Sequence, residues 1–116
     1  MPITEYKNYK SLGYSSVGLF AFSDRYGSIN NFKKFIDKCH QEGIGLILEL
    51  NLAEFDPDSY YLADFDFTSL YDYDYDDIKY NYYGSMNFDF SKNASKSYLL
   101  SAVNYWIREF NIDGIC

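Results

Sequence analysis

Two stretches of this chain carry a helical hydrophobic period, each leads into an apolar run, and the long segment between them has neither signal. From Ser28 to about Gln41 the apolar residues Phe32, Phe35, Ile36 and Cys39 fall at i, i+3, i+4 and i+7, one face of a helix. Ser28 suits the N-cap and Gly43 terminates the helix. Ile44-Gly45-Leu46-Ile47-Leu48 follows without a polar break, and the strand it predicts, Ile44 to Leu52, has the pattern of one covered on both faces. A second helix is predicted over Tyr98 to Phe110, opened by Asn93 or Ser95, with Leu99, Ala102, Trp106 and Phe110 as its buried stripe. Asn111 to Cys116 then reads as the start of another buried parallel strand.

Helix, strand, long loop, helix, strand is the order of an α/β chain, here a partial (β/α)8 TIM-type barrel. A strand needs a partner and a covering layer, and a closed barrel takes about 250 residues. The expectation for 116 residues is therefore a fragment, from the end of barrel strand two to the start of strand four. Met1 to Glu5 is the frayed end of a strand entering a loop. Tyr6 to Gly27 lacks a sustained helical period and is broken by Gly13, Gly18 and Gly27, so it reads as a βα-type loop with short extended pieces.

Residues 53–90 form the unusual region, a long Tyr/Asp-rich loop. It holds Tyr60-Tyr61, then Leu70 to Asp77 with alternating Tyr and Asp, then Tyr80-Asn81-Tyr82-Tyr83. Connections this long are usually functional or disordered. The alternation over Tyr71 to Tyr75 fits an exposed strand, a ligand-facing loop, or a solvated loop with some tyrosines packed on the barrel. In a barrel the loop emerges at the active-site face, where rings can stack on sugars and carboxylates can accept from hydroxyls.

Charge narrows the field. Ten of the seventeen acidic residues lie between Glu54 and Asp89, with Lys79 the one base among them, while the net charge is -7. Such a surface repels phosphate backbones, so nucleic acid is not an expected partner. No apolar run is long enough for a membrane span and no signal pattern opens the chain. Two cysteines, Cys39 and Cys116, form no disulfide framework and fit a reducing, cytoplasmic setting. His40, the single histidine, sits on a helix flank as a surface or packing residue, so no metal site and no cofactor is expected. Cys39 reads as core, Cys116 as a strand residue, and Gly13 and Gly18 as turn residues rather than a phosphate loop.

Longer correspondences add a family. Met1 to Tyr6, Leu12-Gly13-Tyr14, Gly18-Leu19-Phe20-Ala21, Arg25-Tyr26-Gly27, Phe32-Lys33 to Ile47-Leu48, Leu62-Ala63-Asp64-Phe65-Asp66, Ser69-Leu70-Tyr71 and Trp106 to Gly114 fall in one register. In that register the chain resembles the glycogen (1,4-α-glucan) branching enzymes, of the α-amylase type of glycoside hydrolase. The resemblance implies α-glucan (glycogen, amylose) as partner and Tyr14, Glu49 and Glu54 as substrate-binding positions.

Departures accompany it. Where the family's third strand ends in Asp-Trp-Val-Pro-x-His-Phe, this chain reads Glu49-Leu50-Asn51-Leu52-Ala53-Glu54-Phe55. Glu49 thus stands for the family's Asp, Glu54 for its substrate-binding His, and Cys116 for the Arg that orients the nucleophile. A carboxylate at position 54 can accept but not donate, and a thiol at 116 replaces neither the charge nor the donors of a guanidinium. The family's nucleophile and general acid would fall beyond Cys116, so no residue here is expected to be catalytic. Glu49 and Glu54 are the tempting alternative, since retaining glycosidases set two carboxyls about 5 to 5.5 Å apart, but no pattern fixes their separation. The expected activity of the parent is 1,4-α-glucan branching, with this chain inactive alone, binding glucan at most weakly, and prone to oligomerise through exposed strand edges. The alternatives are a degenerate, non-catalytic glucan- or protein-binding member, and a partial gene product with no selected function.

Overall fold

In a computed structural model, the structure describes residues 2–8, 10–58, 62, 63 and 68–116. Tyr60, Tyr61 and the Asp64-Phe65-Asp66 part of the family match lie outside the described residues. The elements in chain order are β1 (Thr4–Tyr6), β2 (Ser16–Phe22), a 3-10 turn (Asp24–Tyr26), α1 (Ile29–Gln41), β3 (Ile47–Leu48), β4 (Glu54–Phe55), α2 (Asp76–Lys79), β5 (Met86–Asn87), α3 (Asn93–Phe110) and β6 (Gly114–Ile115). They build two sheets, one ordered β1-β2-β4-β5 and one in which β3 lies parallel to β6.

Helix α1 follows its sequence signals closely. The Ser28 hydroxyl accepts from the Asn31 amide at 3.2 Å, satisfying a first-turn donor. At the other end Gly43 has φ 72°, a conformation that costs a glycine little. The buried face is narrower than the four-residue pattern predicts: Ile36 is buried and Phe32 and Cys39 half-buried, whereas Phe35 is 53% exposed. Phe35 sits at the rim, its ring 6.4 Å from that of Phe32. Helix α3 runs from Asn93 and buries Ser95, Leu99, Ala102, Trp106 and Phe110, the predicted stripe and one residue more.

The predicted strand Ile44 to Leu52 is shorter and covered differently. Its ladder with β6 runs from the Leu46 carbonyl, which accepts from Asp113, to the Leu50 amide, which donates to the Cys116 carbonyl at 3.0 Å. Before this, Ile44 is still part of the α1 termination, its amide donating to the Cys39 carbonyl. After it, the Asn51 side chain accepts from the Ala53 amide and turns the chain. Leu48 and Leu50 are buried while Ile47 is 73% exposed, so one face is covered rather than two. The apolar run alone could not distinguish these cases, because alternation is hidden when exposed positions are also apolar.

The core has two parts. Leu19, Phe55, Met86, Phe88, Leu99 and Ala102 join β2, β4, β5 and α3. Ile36, Leu48, Leu50, Trp106, Phe110 and Ile112 join the two long helices to the β3–β6 pair. Helix α3 is stitched to the backbone of β2 at one residue: the Trp106 indole donates to the Leu19 carbonyl at 2.7 Å, and the Leu19 amide donates to the Tyr98 hydroxyl at 3.1 Å. Both polar groups of a buried strand residue are thereby satisfied from a helix.

The Tyr71 to Tyr75 alternation is not an exposed strand. Asp72 is 1% exposed and bridges Phe88, Tyr71 packs its ring 5.2 Å from that of Tyr98, and Tyr75 points outward. Here the acidic residue is the buried one.

Candidate functional site

Glu49 lies just past β3 and Cys116 just past β6, at the carboxyl ends of two neighbouring parallel strands. Ligands of α/β sheets bind outside such ends. A cleft of about 830 Å³ opens there, lined by Glu49, Leu50, Asn51 and Cys116 from this side. Tyr14 and Ser15 from the β1–β2 loop, Glu54 and Asp56 from β4 and its exit, and Tyr83 to Ser85 are among the residues on its other sides. The cleft thus brings together Tyr14, Glu49, Glu54 and Cys116, which the sequence places up to 102 positions apart.

Local chemistry explains how each wall is held. Gly13, with φ 87°, lies against Tyr6 so closely that a β-carbon would stand 2.8 Å from the ring. The Arg25 guanidinium covers that ring at 4.0 Å and also holds Glu5, the Ser23 hydroxyl and the Tyr6 carbonyl. Arg25 is therefore a support for the Tyr14 loop. The Tyr14 hydroxyl donates to Glu49 Oε1 at 2.9 Å. That bond, followed by the carboxylate's charge, raises the phenol above its ordinary titration range.

Glu54 is held from both sides. Asn51 Nδ2 donates to Glu54 Oε1 at 3.1 Å and to the Tyr14 carbonyl at 2.9 Å, while Asn81 Nδ2 donates to Glu54 Oε2. Strand alternation aims Phe55 the other way, into the core, where its ring lies 4.5 Å from Phe88. Glu49 and Glu54 line the same cleft, Tyr14 being among the partners of Glu49 and two carboxamides holding Glu54.

Asn51 and Asn81 carry no charge and no periodic signal, and neither stood out as a site residue in the sequence. The available clue is that Asn81 and Gly84 occupy the first and last positions of a tight turn. Their backbone groups make that turn, the Gly84 amide donating to the Asn81 carbonyl at 3.0 Å. His40 sits elsewhere: its Nε2 is 2.9 Å from Asp113 Oδ2, near the opposite end of β6. The same oxygen accepts from the Leu46 amide, and these bonds, the amide first, hold the Asp113 carboxyl below its usual value.

No protein-family model matches the chain. Among curated proteins, it is 43% identical over 116 residues to the 1,4-alpha-glucan branching enzyme GlgB of Nitrosomonas europaea. It is 36% identical over the same length to that of Methylococcus capsulatus. Over its whole length the chain is homologous to the 1,4-alpha-glucan branching enzymes. The match takes in 99% of this chain and 16% of each of these relatives. Among solved structures, a maltogenic alpha-amylase, AmyB from Thermotoga neapolitana, superposes with a TM-score of 0.79 at 18% identity, covering 99% of this chain and 28% of that one. An alpha-amylase from Lactobacillus plantarum gives 0.75 at 21% identity, over 98% and 27%. At such identities the likeness speaks for the α/β fold alone. Among the described residues no helix is long and apolar enough to cross a membrane.

Proposed function

We propose that this chain forms a sugar-facing wall of a cytoplasmic enzyme that remodels 1,4-α-glucan, its residues 1–116 lying within the catalytic (β/α)8 barrel and 53–90 forming a βα loop. The parent activity on this reading is branching: cleavage of an α-1,4 link, retention of the chain as a glycosyl ester, and transfer to a 6-hydroxyl. The observation that carries the reading is the convergence of Tyr14, Glu49 and Glu54 on one cleft at the carboxyl ends of β3 and β6. Tyr14 and Tyr83 offer ring faces for apolar contact with a sugar, and the carboxylates accept from its hydroxyls.

These 116 residues contribute binding rather than the reaction itself. Both oxygens of Glu54 accept from carboxamides and Glu49 accepts from Tyr14, so both carboxyls are held as hydrogen-bond acceptors rather than as a proton-donating acid. A non-catalytic, glucan- or protein-binding member is the second reading, favoured by Glu54 and Cys116 at positions where the family carries His and Arg. Among the described residues β3 and β6 pair with each other and with no further strand, and Ile44 and Ile47 are exposed, so the isolated chain is further proposed to self-associate along that pair. Incubation with amylose, read by iodine staining and a debranching digest, tests the main reading: bound amylose without new α-1,6 links is expected. New links formed by the pure chain would overturn its non-catalytic part, and failure to retain amylose would overturn the glucan part.

A further inference from the structure

The cleft's floor and rim meet at one side chain. Asn81 Nδ2 donates to Glu54, while Asn81 Oδ1 accepts from the backbone amides of Tyr83 at 2.9 Å and Ser85 at 3.0 Å. This arrangement fixes which way the carboxamide faces. A flipped amide would set its NH2 against two N–H donors and its oxygen against a carboxylate. Asn51 is fixed in the same sense, accepting from Ala53 and donating to Glu54 and Tyr14.

Glu54 therefore stands with one carboxamide on each oxygen. An ionised carboxylate has about four acceptor positions, so one on each oxygen remains for a ligand. Two acceptor positions on one rigid group match two adjacent hydroxyls of a sugar ring. Tyr83, 87% exposed on the cleft's rim, supplies an apolar face nearby. Glu49, Glu54 and Asp56 line the cleft, and among the described residues lining it there is no lysine or arginine. A phosphorylated or carboxylated sugar would find no lysine or arginine of that lining to pair with.

We propose that Asn81 is the positioning residue of this cleft: it fixes Glu54 as an acceptor for two hydroxyls and carries Tyr83 on the rim, so that both act as one subsite for a neutral sugar ring. The sugar class rests on the glucan reading above; the coupling of Glu54 to Tyr83 does not. An aspartate at 81 keeps both acceptor contacts to the turn and replaces the donor to Glu54 with a second carboxylate that repels it, an alanine removes the donor without adding charge, and a serine reaches neither contact well.

The test uses the full 116-residue chain, isotope-labelled for NMR, with maltoheptaose as probe and the Trp106 indole resonance as the check of folding. Without ligand, Glu54→Ala is expected to move the Asn81 side-chain NH2 signal and the backbone amides of Tyr83 and Ser85; unmoved amides would overturn the coupling. With ligand, Asn81→Ala and Asn81→Asp are each expected to weaken maltoheptaose binding on the order of tenfold, the scale of one hydrogen bond to a charged group. In a Glu54→Ala background the same changes should cost less than about twofold, because their effect passes through Glu54. An equal loss in both backgrounds would make Asn81 a fold residue and overturn the proposal. If the native chain binds no maltoheptaose, the glucan reading and the sugar subsite fall together, while the ligand-free arm still decides whether Asn81 couples Glu54 to the rim.

Discussion

The region around Trp106 and the segment from Ser69 to Lys92 are built by different balances of the same forces. Around Trp106 the forces are apolar and periodic: its ring lies 4.6 Å from Phe110 and 5.4 Å from Tyr105, and α3 closes over Leu48, Leu50 and Ile112. The 69–92 segment places Met86 and Phe88 in the core, and its loop is fixed by polar side chains reaching across about twenty positions. Lys92 Nζ donates to the carbonyls of Ser69 at 2.5 Å and Asp72 at 2.6 Å and to Asp74 at 3.0 Å. The Ser95 hydroxyl donates to the Tyr71 carbonyl at 2.7 Å. Lys79 Nζ stands 2.9 Å from buried Asp72, whose oxygens receive no well-aligned hydrogen bond from described residues. That pairing, through the contact with Asp72 first, raises the lysine's titration. One region rests chiefly on burial at helical spacing; the other adds particular polar contacts to the burial of Met86 and Phe88.

The largest effect should come from breaking the apolar region. Trp106→Ala removes a fully buried ring and the donor to Leu19, and should cost about 3 to 5 kcal/mol. Urea denaturation followed by circular dichroism checks this, with the midpoint expected to move to much lower urea, since such a cost is a large share of an ordinary stability of about 5 to 15 kcal/mol. A cost below about 1 kcal/mol would mean that α3 is not the organising element.

Lys92→Met should separate the two regions. It leaves the Ser69 and Asp72 carbonyls without their charged donor, a loss on the order of 2 kcal/mol. Hydrogen exchange should then show protection lost across 69–74 while amides of α3 below Leu99 remain protected. Uniform loss along both regions would show that they are not separable.

Much of the first region was legible in the sequence and little of the second. Leu99, Ala102, Trp106 and Phe110 recur at helical spacing, and Ser28 and Gly43 mark the ends of α1, because burial on one face and the backbone's needs at a helix end both leave local signatures. Nothing local marks Lys92 as a loop clamp or Asp72 as buried, since their partners are chosen by tertiary contact. The cleft was legible in part. Tyr14, Glu49 and Glu54 stand out through the family register, whereas Asn51 and Asn81 act through carboxamides whose role appears only once β4 and the 81–85 turn are side by side. Ile47 misled for a third reason: an exposed apolar residue in a strand looks like a buried one.

The smallest effect concerns pH. Asp89 accepts from the Ser91 hydroxyl at 2.6 Å and its amide at 2.8 Å, and these bonds, more than the nearby Lys92 and Lys96 charges, hold the carboxyl below its usual value. A depressed folded-state value means that the contribution is complete above the ordinary aspartate value of about 4. It fades as pH falls through the lowered value in the folded chain. A carbon-detected titration should place the Asp89 midpoint below that of a free aspartate, and Ser91→Ala should move it back upward. An unmoved midpoint would remove this capping contact from the polar region's support.

The measurement that bears most directly on the whole account is an amide-resolved titration of the chain with maltoheptaose. If the cleft at the ends of β3 and β6 is the sugar-facing wall, shifts should gather at Tyr14, Ser15, Asn51, Tyr83 and Ser85, with Ile29–Gln41 silent. Shifts confined to that helix, with Tyr14 and the 81–85 turn unmoved, would contradict it.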